Sequence, residues 1–172
     1  MVALYNQLVS DLRMEKLERK RTEHLHQHLN EDEVVIYSGR NLIRQLTEEL
    51  NRLLLNPRYP NGEKCYLNFY EKYKHHLSHY FRNLYRIYKI VDEANFNASS
   101  DHNSDYNKEK KKFYTGIIRA QLSNDELILL FYNCIYGHGQ SKFKPLAKRY
   151  DMFDNMPEED LHDPSLLEKH FS

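Results

Sequence analysis

Leucine and aromatic residues recur at intervals of three or four positions along most of the chain, the period of one face of an α-helix. This pattern predicts a first helix over residues 2–29 and a second over 33–55, where Asn56 and Pro57 stop it. A third helix, over 63–94, carries a stripe of Tyr, Phe and Leu side chains and spans about 48 Å. We therefore expect an all-α fold built around one long central helix.

After the third helix the chain is first polar and then strongly apolar. Residues 95–112 carry almost nothing apolar, which predicts a mobile loop, and a short fourth helix is predicted over 113–120. Ser123 and Glu126 fit the capping box, in which each side chain accepts the backbone N–H of the other residue. A fifth helix, buried on most sides, is expected here because the run LILLFYNCIY follows the cap at once.

The remainder of the chain predicts two shorter elements. Gly137 ends the fifth helix, a sixth helix is predicted over 141–150, and Asp163, followed by proline, starts a terminal turn. The expected architecture is a single-domain bundle of five to six helices over residues 1–156. Residues 157–172 are expected to form an acidic tail with a short terminal helix.

Composition narrows the class of protein. No apolar run approaches the ~18–20 residues that cross a bilayer, and Cys65 and Cys134 lack the CxxC spacing of a metal or redox motif. We therefore expect reduced thiols in a cytoplasmic protein without a membrane span. The net charge is zero, but residues 151–168 hold seven acids and no Lys or Arg, which leaves 24 basic and 18 acidic residues in 1–150. The excess basic residues of 1–150 either contact an anionic partner or form a solvated surface.

The predicted central helix interleaves aromatic rings with cations. Between residues 66 and 90 it holds five Lys or Arg residues, three His and one acid, Glu71. Rings of this kind stack on bases and cations meet phosphates, although a core stripe with a solvated basic face has the same pattern. His79 and Arg82 share a helical face and are the candidate catalytic pair for acid–base chemistry on phosphate esters.

Two groups of residues have the spacing of metal ligands. His24 and His28 lie four positions apart, but the sequence places no third ligand beside them. Glu71, His75 and His79 form a second group along one face of the third helix. Neither pattern is specific, so we predict no metal and no cofactor.

A loose nuclease pattern occurs in the same basic segment. Arg19 with His24, and Arg21 with His26, match the Arg-x4–6-His spacing of the HEPN ribonucleases. In that family the Arg and the His cleave RNA without a metal by activating the 2′-hydroxyl. A segment rich in Arg and His also produces this spacing by chance, so it supports only an alternative function.

Two stretches carry a longer and more specific pattern: LSHYFRNLYRIYKIVDEA at residues 77–94 and FYTGIIRAQLSNDELILLFYNCIYGHGQSKFKPLAKRYDMFDNM at 113–156. They resemble the putative phage abortive infection family of the AbiC type, with its HYFR-x-LYR-I and RAQLS-x-x-E-L segments. The resemblance implies a bacterial phage-defence role, in which an infected cell stops growing, and names no settled reaction. Family members often carry N-terminal membrane spans, and we expect none in this chain.

The resemblance also implies candidate site residues, namely the shared polar residues with no evident duty in folding. They are His79, Arg82, Arg86, Arg119, Gln121 and Asn133. Arg119 and Gln121 precede the fifth helix, whose N-terminal amides favour an anion. If the third and fifth helices pack together, His79 and Arg82 face Asn133 in one cleft for an anion or RNA, and Arg119 lies beside them. The alternative is a hydrogen-bond network of Arg and Asn that joins the two helices.

Three functions are therefore open. The first is a sensor or effector of abortive infection that binds a phage or host protein, or RNA. The second is a metal-independent, HEPN-like ribonuclease that uses His79 and Arg82. The third is a non-catalytic helical adaptor. Apolar positions on the first two helices are also compatible with a homodimer, which the sequence leaves open.

Overall fold

The computed structural model describes residues 2–19, 32–58, 61–97 and 104–171. Over these ranges the chain forms eight α-helices, one antiparallel pair of strands and one 3-10 turn. They are α1 (Val2–Ser10), β1 (Arg13–Arg19), β2 (Asp32–Ser38), α2 (Gly39–Leu54), α3 (Gly62–Glu93), α4 (Asp105–Arg119), α5 (Asn124–Tyr136), α6 (Gly139–Lys142), α7 (Lys144–Arg149), the 3-10 turn at Glu158–Asp160 and α8 (Ser165–Phe171). The predicted helical fold is confirmed, with a small sheet that the sequence pattern did not reveal.

The central element is α3, a helix of 32 residues that confirms the predicted long helix. It starts where Asn61 accepts a hydrogen bond from the Lys64 N–H at 2.9 Å, a side-chain cap. Its buried side chains recur every three or four residues and face α1, α2, α4 and α5. Burying each large apolar side chain contributes about 1.5–3 kcal/mol, so this face organises the core.

The apolar helix α5 lies against α2 and α3, and ten of its thirteen residues are buried. Its predicted capping box is confirmed: Ser123 Oγ accepts from the Glu126 N–H at 3.3 Å and Glu126 Oε2 accepts from the Ser123 N–H at 2.8 Å. Glu126 is itself fully buried and also accepts hydrogen bonds from the hydroxyls of Tyr5 and Tyr80. The cap therefore ties the N-terminal helix to the centre of the fold.

The predicted helix over 2–29 forms at Val2–Ser10 and is wrong over residues 11–19. The chain instead enters strand β1, which pairs antiparallel with β2 and sets Arg13 opposite Ser38. The run DEVVIYS in β2 is rich in β-branched residues, which favour strands, and its exposed and half-buried side chains alternate with a period of two. Residues 20–31 lie outside the described part of the chain.

The second helix starts later than the predicted 33–55 because β2 occupies residues 32–38. Gly39 stands at the change from strand to helix with φ of +55°, a left-handed conformation that glycine adopts without steric cost. Leu42, Leu46 and Leu50 then form the buried stripe of α2. The leucine pattern correctly predicted helix α2, but it did not indicate the strand β2 that precedes it.

The predicted mobile loop over 95–112 is wrong for its second half, because α4 already begins at Asp105. Ser104 caps the helix by accepting the Asn107 N–H at 3.3 Å. The fully buried Asn107 side chain accepts the Phe96 N–H at 2.7 Å and donates to Asn95 Oδ1 at 2.7 Å. One buried amide, Asn107, thus anchors the start of α4, while the charged residues Lys108 and Glu109 beside it are exposed.

The C-terminal elements pack closely on α5. The predicted helix over 141–150 forms as two short helices, α6 and α7, that meet at Phe143. Near the end of the chain the Phe171 ring lies 5.6 Å from the Phe131 ring, and the Tyr132 hydroxyl lies 2.6 Å from His162 Nδ1. The division into a domain over 1–156 and a tail stays a prediction.

Two further features bear on the cellular setting. Cys65 and Cys134 are both buried and free, and burial raises the pKa of each thiol. Among the residues with described positions, no helix has both the length and the apolarity needed to span a bilayer.

Candidate functional site

A pocket of about 510 Å³ opens between α3 and the segment that joins α5 to α7. Its lining combines cations, hydroxyls, aromatic rings and one buried amide. The lining residues are Tyr70, Ser78, Phe81, Arg82, Tyr85 and Arg86 from α3, Asn133 from α5, and His138, Gly139, Ser141, Lys142 and Phe143 from the following segment. We call it the α3–α6 pocket.

The inner wall of the α3–α6 pocket is buried and largely aromatic. Asn133, Phe81 and Phe143 are 3%, 6% and 2% exposed. Half-buried Tyr70 and Tyr85 line the same pocket, and the Tyr85 ring lies 6.2 Å from that of Phe143. A ligand in the pocket therefore meets aromatic rings as well as Asn133.

The opening of the pocket is cationic. Arg82, Arg86 and Lys142 are exposed and form no ion pair with any acid that the structure describes. No described Asp or Glu lines the pocket. Cations without nearby acids give a positive potential at the mouth of a concave surface, which attracts anions.

At other places on the molecule, several cations are matched with acids. Arg149 lies 2.6 Å from Asp92, and Lys72 lies 2.8 Å from Glu49.

Burial raises the pKa of the Tyr70 hydroxyl, while the positive charge of Arg82 opposes that rise. The guanidinium of Arg82 thus acts electrostatically on the pocket wall and is not neutralised by a described carboxylate.

The buried amide of Asn133 is held in one orientation. Its Oδ1 accepts a hydrogen bond from the Tyr66 hydroxyl at 3.3 Å. The backbone of Gly137 and Gly139 approaches so closely that a Cβ would lie 2.7 Å from Oδ1 at the first position and 2.7 Å from Nδ2 at the second. Nδ2 has no hydrogen-bond partner among the described residues, so it is left as a donor at the inner wall of the pocket.

Comparison with known families decides the identity of the chain. A family model described as putative phage abortive infection protein matches residues 72–161, just over half of the chain. The chain belongs to this phage abortive infection family. The sequence resemblance is thereby confirmed, and membership of the abortive infection family supports a role in phage defence. No curated protein and no solved structure matches the chain.

The part of the chain shared with the abortive infection family includes nearly the whole pocket. Every lining residue except Tyr70 lies within residues 72–161. The matched segment also contains all of α4 and α5 and the short helices α6 and α7. The pocket is therefore a feature of the family segment of the fold.

The structure brings together only some of the candidate residues that the abortive infection resemblance implied. Arg82, Arg86 and Asn133 all line the α3–α6 pocket. His79 is exposed on α3 and does not line it. The predicted single cleft therefore includes Arg82 and Asn133 and excludes His79.

Arg119 and Gln121 lie at a different place. Arg119 lines a separate cavity of about 260 Å³, where its guanidinium donates to the Asp151 carbonyl and lies 3.5 Å from Asp154. The backbone carbonyl oxygen of Gln121 accepts a hydrogen bond from the Arg40 guanidinium at 2.9 Å. These contacts are structural, but they connect α4 to residues 151–154 and α2 to the segment before α5, and not α3 to α5 as in the alternative network.

Several residues of the pocket were not among the candidates. His138, Ser141 and Lys142 enter it because the chain turns back at Gly137 toward α3. The sequence Gly137-His138-Gly139 predicted only the end of a helix. Two glycines so close together also allow the backbone to approach a side chain closely. Tyr70 appeared only as part of a core stripe.

No group of three or more His, Cys, Asp or Glu residues is placed to hold a metal ion within the described ranges. Glu71, His75 and His79 lie in those ranges, on α3. His24, His26 and His28 fall outside the described residues. Each of the two Arg-x4–6-His pairs, Arg19 with His24 and Arg21 with His26, therefore includes a histidine whose position is not described.

Proposed function

We propose that this chain acts in phage abortive infection as a sensor or effector domain that binds a phosphate-bearing partner at the α3–α6 pocket. Binding, rather than turnover, is its activity. The observation that carries this proposal is the set of three cations, Arg82, Arg86 and Lys142, around a pocket that no described acid lines.

Electrostatics supports an external anion. Like charges that lie close together repel, and a fold under selection for stability alone tends to intersperse acids among them. The net charge of the chain is zero, so acids are abundant, yet they pair with cations elsewhere, as Asp92 does with Arg149. An anionic ligand supplies the charge that the pocket lacks.

The types of side chain suit a phosphate that is attached to a base. Arginine presents a planar fork of donors that matches two oxygens of one phosphate, and Arg82 and Arg86 lie one helical turn apart on the same face of α3. Aromatic rings beside them, such as Tyr70 and Tyr85, give surfaces on which bases stack. RNA is therefore the macromolecular partner that we favour, and a phage or host protein is the alternative outcome of the test.

The ribonuclease alternative receives less support from the geometry. It requires His79 and Arg82 to act on the same phosphate, but only Arg82 lines the pocket. His138 lies at the pocket as an exposed side chain and packs against Tyr70 with ring centroids 5.3 Å apart. No specific contact assigns it a proton-transfer role.

The test is RNA binding and RNA integrity measured in the same samples, with EDTA present, for the wild type and for Arg82→Ala/Arg86→Ala. Arg52→Ala is the matched control, since Arg52 is also an exposed helical arginine without an ion pair to a described acid. The proposal predicts binding without cleavage, lost in the double variant and retained in the control. Absence of RNA binding, or equal binding by all three proteins, would overturn it.

A further inference from the structure

The α3–α6 pocket has two chemically different ends, and together they define a ligand class. We infer that it holds a single nucleoside phosphate unit, with the base inward against Asn133 and the phosphate outward among Arg82, Arg86 and Lys142. This inference rests on the proposed function and narrows its ligand from a phosphate-bearing partner to one nucleotide.

The size of the pocket fits one such unit. Its volume of about 510 Å³ lies within the roughly 300–1,000 Å³ of pockets that enclose small molecules. A surface that only tracks a nucleic acid backbone needs an open groove. Here the inner wall is closed by Phe81, Phe143 and Asn133, which are almost fully buried.

The inner end suits a planar ring. Tyr70 and Phe81 lie with ring centroids 6.5 Å apart and an interplanar angle of 23°, and Tyr85 meets Phe143 edge-on at 75°. A planar ring that lies against the pocket-facing surfaces of these side chains can make both offset-stacked and edge contacts, the arrangements that aromatic groups prefer. An inorganic anion would leave this end of the pocket unfilled.

Asn133 determines which edge of the ring is recognised. An amide with both groups free offers a donor and an acceptor, the combination that pairs with the N6 and N7 atoms of adenine. In this chain Oδ1 is already engaged by the Tyr66 hydroxyl, so only the Nδ2 donor faces the pocket. A donor alone is best matched by guanine, which sets two neighbouring acceptors, O6 and N7, on one edge, whereas adenine sets an amino group beside its N7.

The outer end suits a phosphate. Arg82 and Arg86 project from consecutive turns of α3, and Lys142 comes from α6 on the opposite side of the opening. The hydroxyls of Ser78 and Ser141 add donors between them. Three cations around one opening match the one to two negative charges of a terminal phosphate.

The experiment is calorimetric titration of the full chain with GMP, guanosine, inorganic phosphate and a short single-stranded RNA. We expect GMP to bind, and guanosine to bind at least about tenfold more weakly, since charge-assisted hydrogen bonds to the phosphate are lost. Inorganic phosphate should bind more weakly than GMP by a similar factor, because it leaves the aromatic end empty. An RNA with a 5′-phosphate that competes with GMP would identify the end of a chain as the natural source of the same unit.

Variants separate the two ends of the pocket. Lys142→Ala, on the surface, should weaken GMP about tenfold without affecting guanosine. Asn133→Ala should weaken GMP and guanosine alike, and a thermal melt checks that it folds. Arg52→Ala should bind GMP as the wild type does.

Two failures have different meanings. If RNA binds in an Arg82- and Arg86-dependent manner but GMP does not, the nucleotide inference is overturned and the proposed function stands. If neither binds, both are overturned. GMP binding that is unchanged in Lys142→Ala and Asn133→Ala would place the nucleotide elsewhere and also overturn the inference.

Discussion

Tyr66 and Asn133 are joined by a buried hydrogen bond of 3.3 Å that connects the core to the pocket. The hydroxyl of Tyr66, which is fully buried, donates to Oδ1 of Asn133 and thereby orients its Nδ2 donor. One interaction thus serves both packing and recognition. Tyr66 does not line the pocket, so loss of its hydroxyl is expected to affect the ligand through Asn133, while its ring also stacks on Tyr70 with centroids 6.2 Å apart.

Replacing Tyr66 with Phe keeps the ring and removes only that donor. Asn133 Oδ1 is then buried without a partner, which should lower the free energy of unfolding by about 1–3 kcal/mol. Urea denaturation measures this change. Tyr106→Phe is the control, because Tyr106 is 51% exposed and should change stability by less than about 0.5 kcal/mol. Equal stability of the two variants would show that the Tyr66–Asn133 bond contributes nothing.

Gly139→Ala tests the close approach of backbone to the Asn133 amide. The new Cβ would lie 2.7 Å from Nδ2 and 3.0 Å from the Asn133 carbonyl oxygen, so the amide or the α5–α6 turn must move. Overpacking of this kind costs about 1–3 kcal/mol, and we expect ligand binding at the pocket to fall as well.

Gly116→Ala is the matched control for that substitution. Gly116 lies within α4, and a Cβ there meets nothing within 4 Å. Alanine favours the helix over glycine, so this variant should be more stable by about 0.5–1 kcal/mol. Thermal and urea denaturation compare the two. Stabilisation by both alanines would contradict the tight contact at Gly139.

Glu126→Gln tests the buried carboxylate that links α1 to the core. Glu126 accepts from Tyr5, from Tyr80 at 3.1 Å and from the Ser123 N–H at 2.8 Å. An amide cannot replace both oxygens as acceptors, so stability should fall by about 1.5–3 kcal/mol.

The comparison for Glu126 is Glu48→Gln. Glu48 lies on the surface of α2, 3.9 Å from Arg44, and such exposed pairs contribute about 0–1 kcal/mol. Urea denaturation and limited proteolysis of the N-terminal segment give two readouts. A loss in Glu126→Gln no larger than that in Glu48→Gln would show that the carboxylate is not the link between α1 and the core.

His162 should make stability depend on pH below neutrality. Burial lowers its pKa below the usual 6.5, which the nearby Asp163 opposes, and its Nδ1 lies 2.6 Å from the Tyr132 hydroxyl. The unfolded chain therefore binds the proton first, so stability is full above about pH 6.5 and falls as pH drops through the lower folded pKa.

His162→Gln should flatten that part of the stability profile between about pH 7 and 5. His75→Gln, which changes an exposed histidine of α3, should leave it unaltered. Denaturant midpoints measured across this range provide the comparison. A wild-type profile that rises as pH falls would contradict the sign of the effect.

Sequence patterns predicted the elements whose determinants are local. The period of α3 and the Ser123–Glu126 cap of α5 are visible in the chain itself. The β1–β2 pair was missed because Leu4, Leu8 and Leu12 have a helical spacing, while strand pairing depends on residues about twenty positions away. The buried role of Asn107 likewise depends on Asn95 and Phe96, which only the folded chain brings close.

The site could be predicted in part for the same reason. Arg82, Arg86 and Asn133 were selected as polar residues without a folding role, and the pocket collects all three. Arg119 has the same appearance in sequence but meets Asp154 and the Asp151 carbonyl, thirty or more positions away. Whether a surface arginine is paired depends on tertiary neighbours, which no local pattern contains.

The central claim is that unpaired cations of the α3–α6 pocket contact phosphate. The most direct test is the salt dependence of RNA binding between about 50 and 200 mM salt, measured for the wild type, Arg82→Ala/Arg86→Ala/Lys142→Ala and Arg52→Ala. Each phosphate contact to a single strand contributes about 0.7 to the slope of log K against log salt, so the triple variant, which removes all three cations around one phosphate, should reduce the slope by about that amount. Arg52→Ala should keep the wild-type slope. Parallel lines for the wild type and the triple variant would contradict the account, because the three cations would then not contact phosphate.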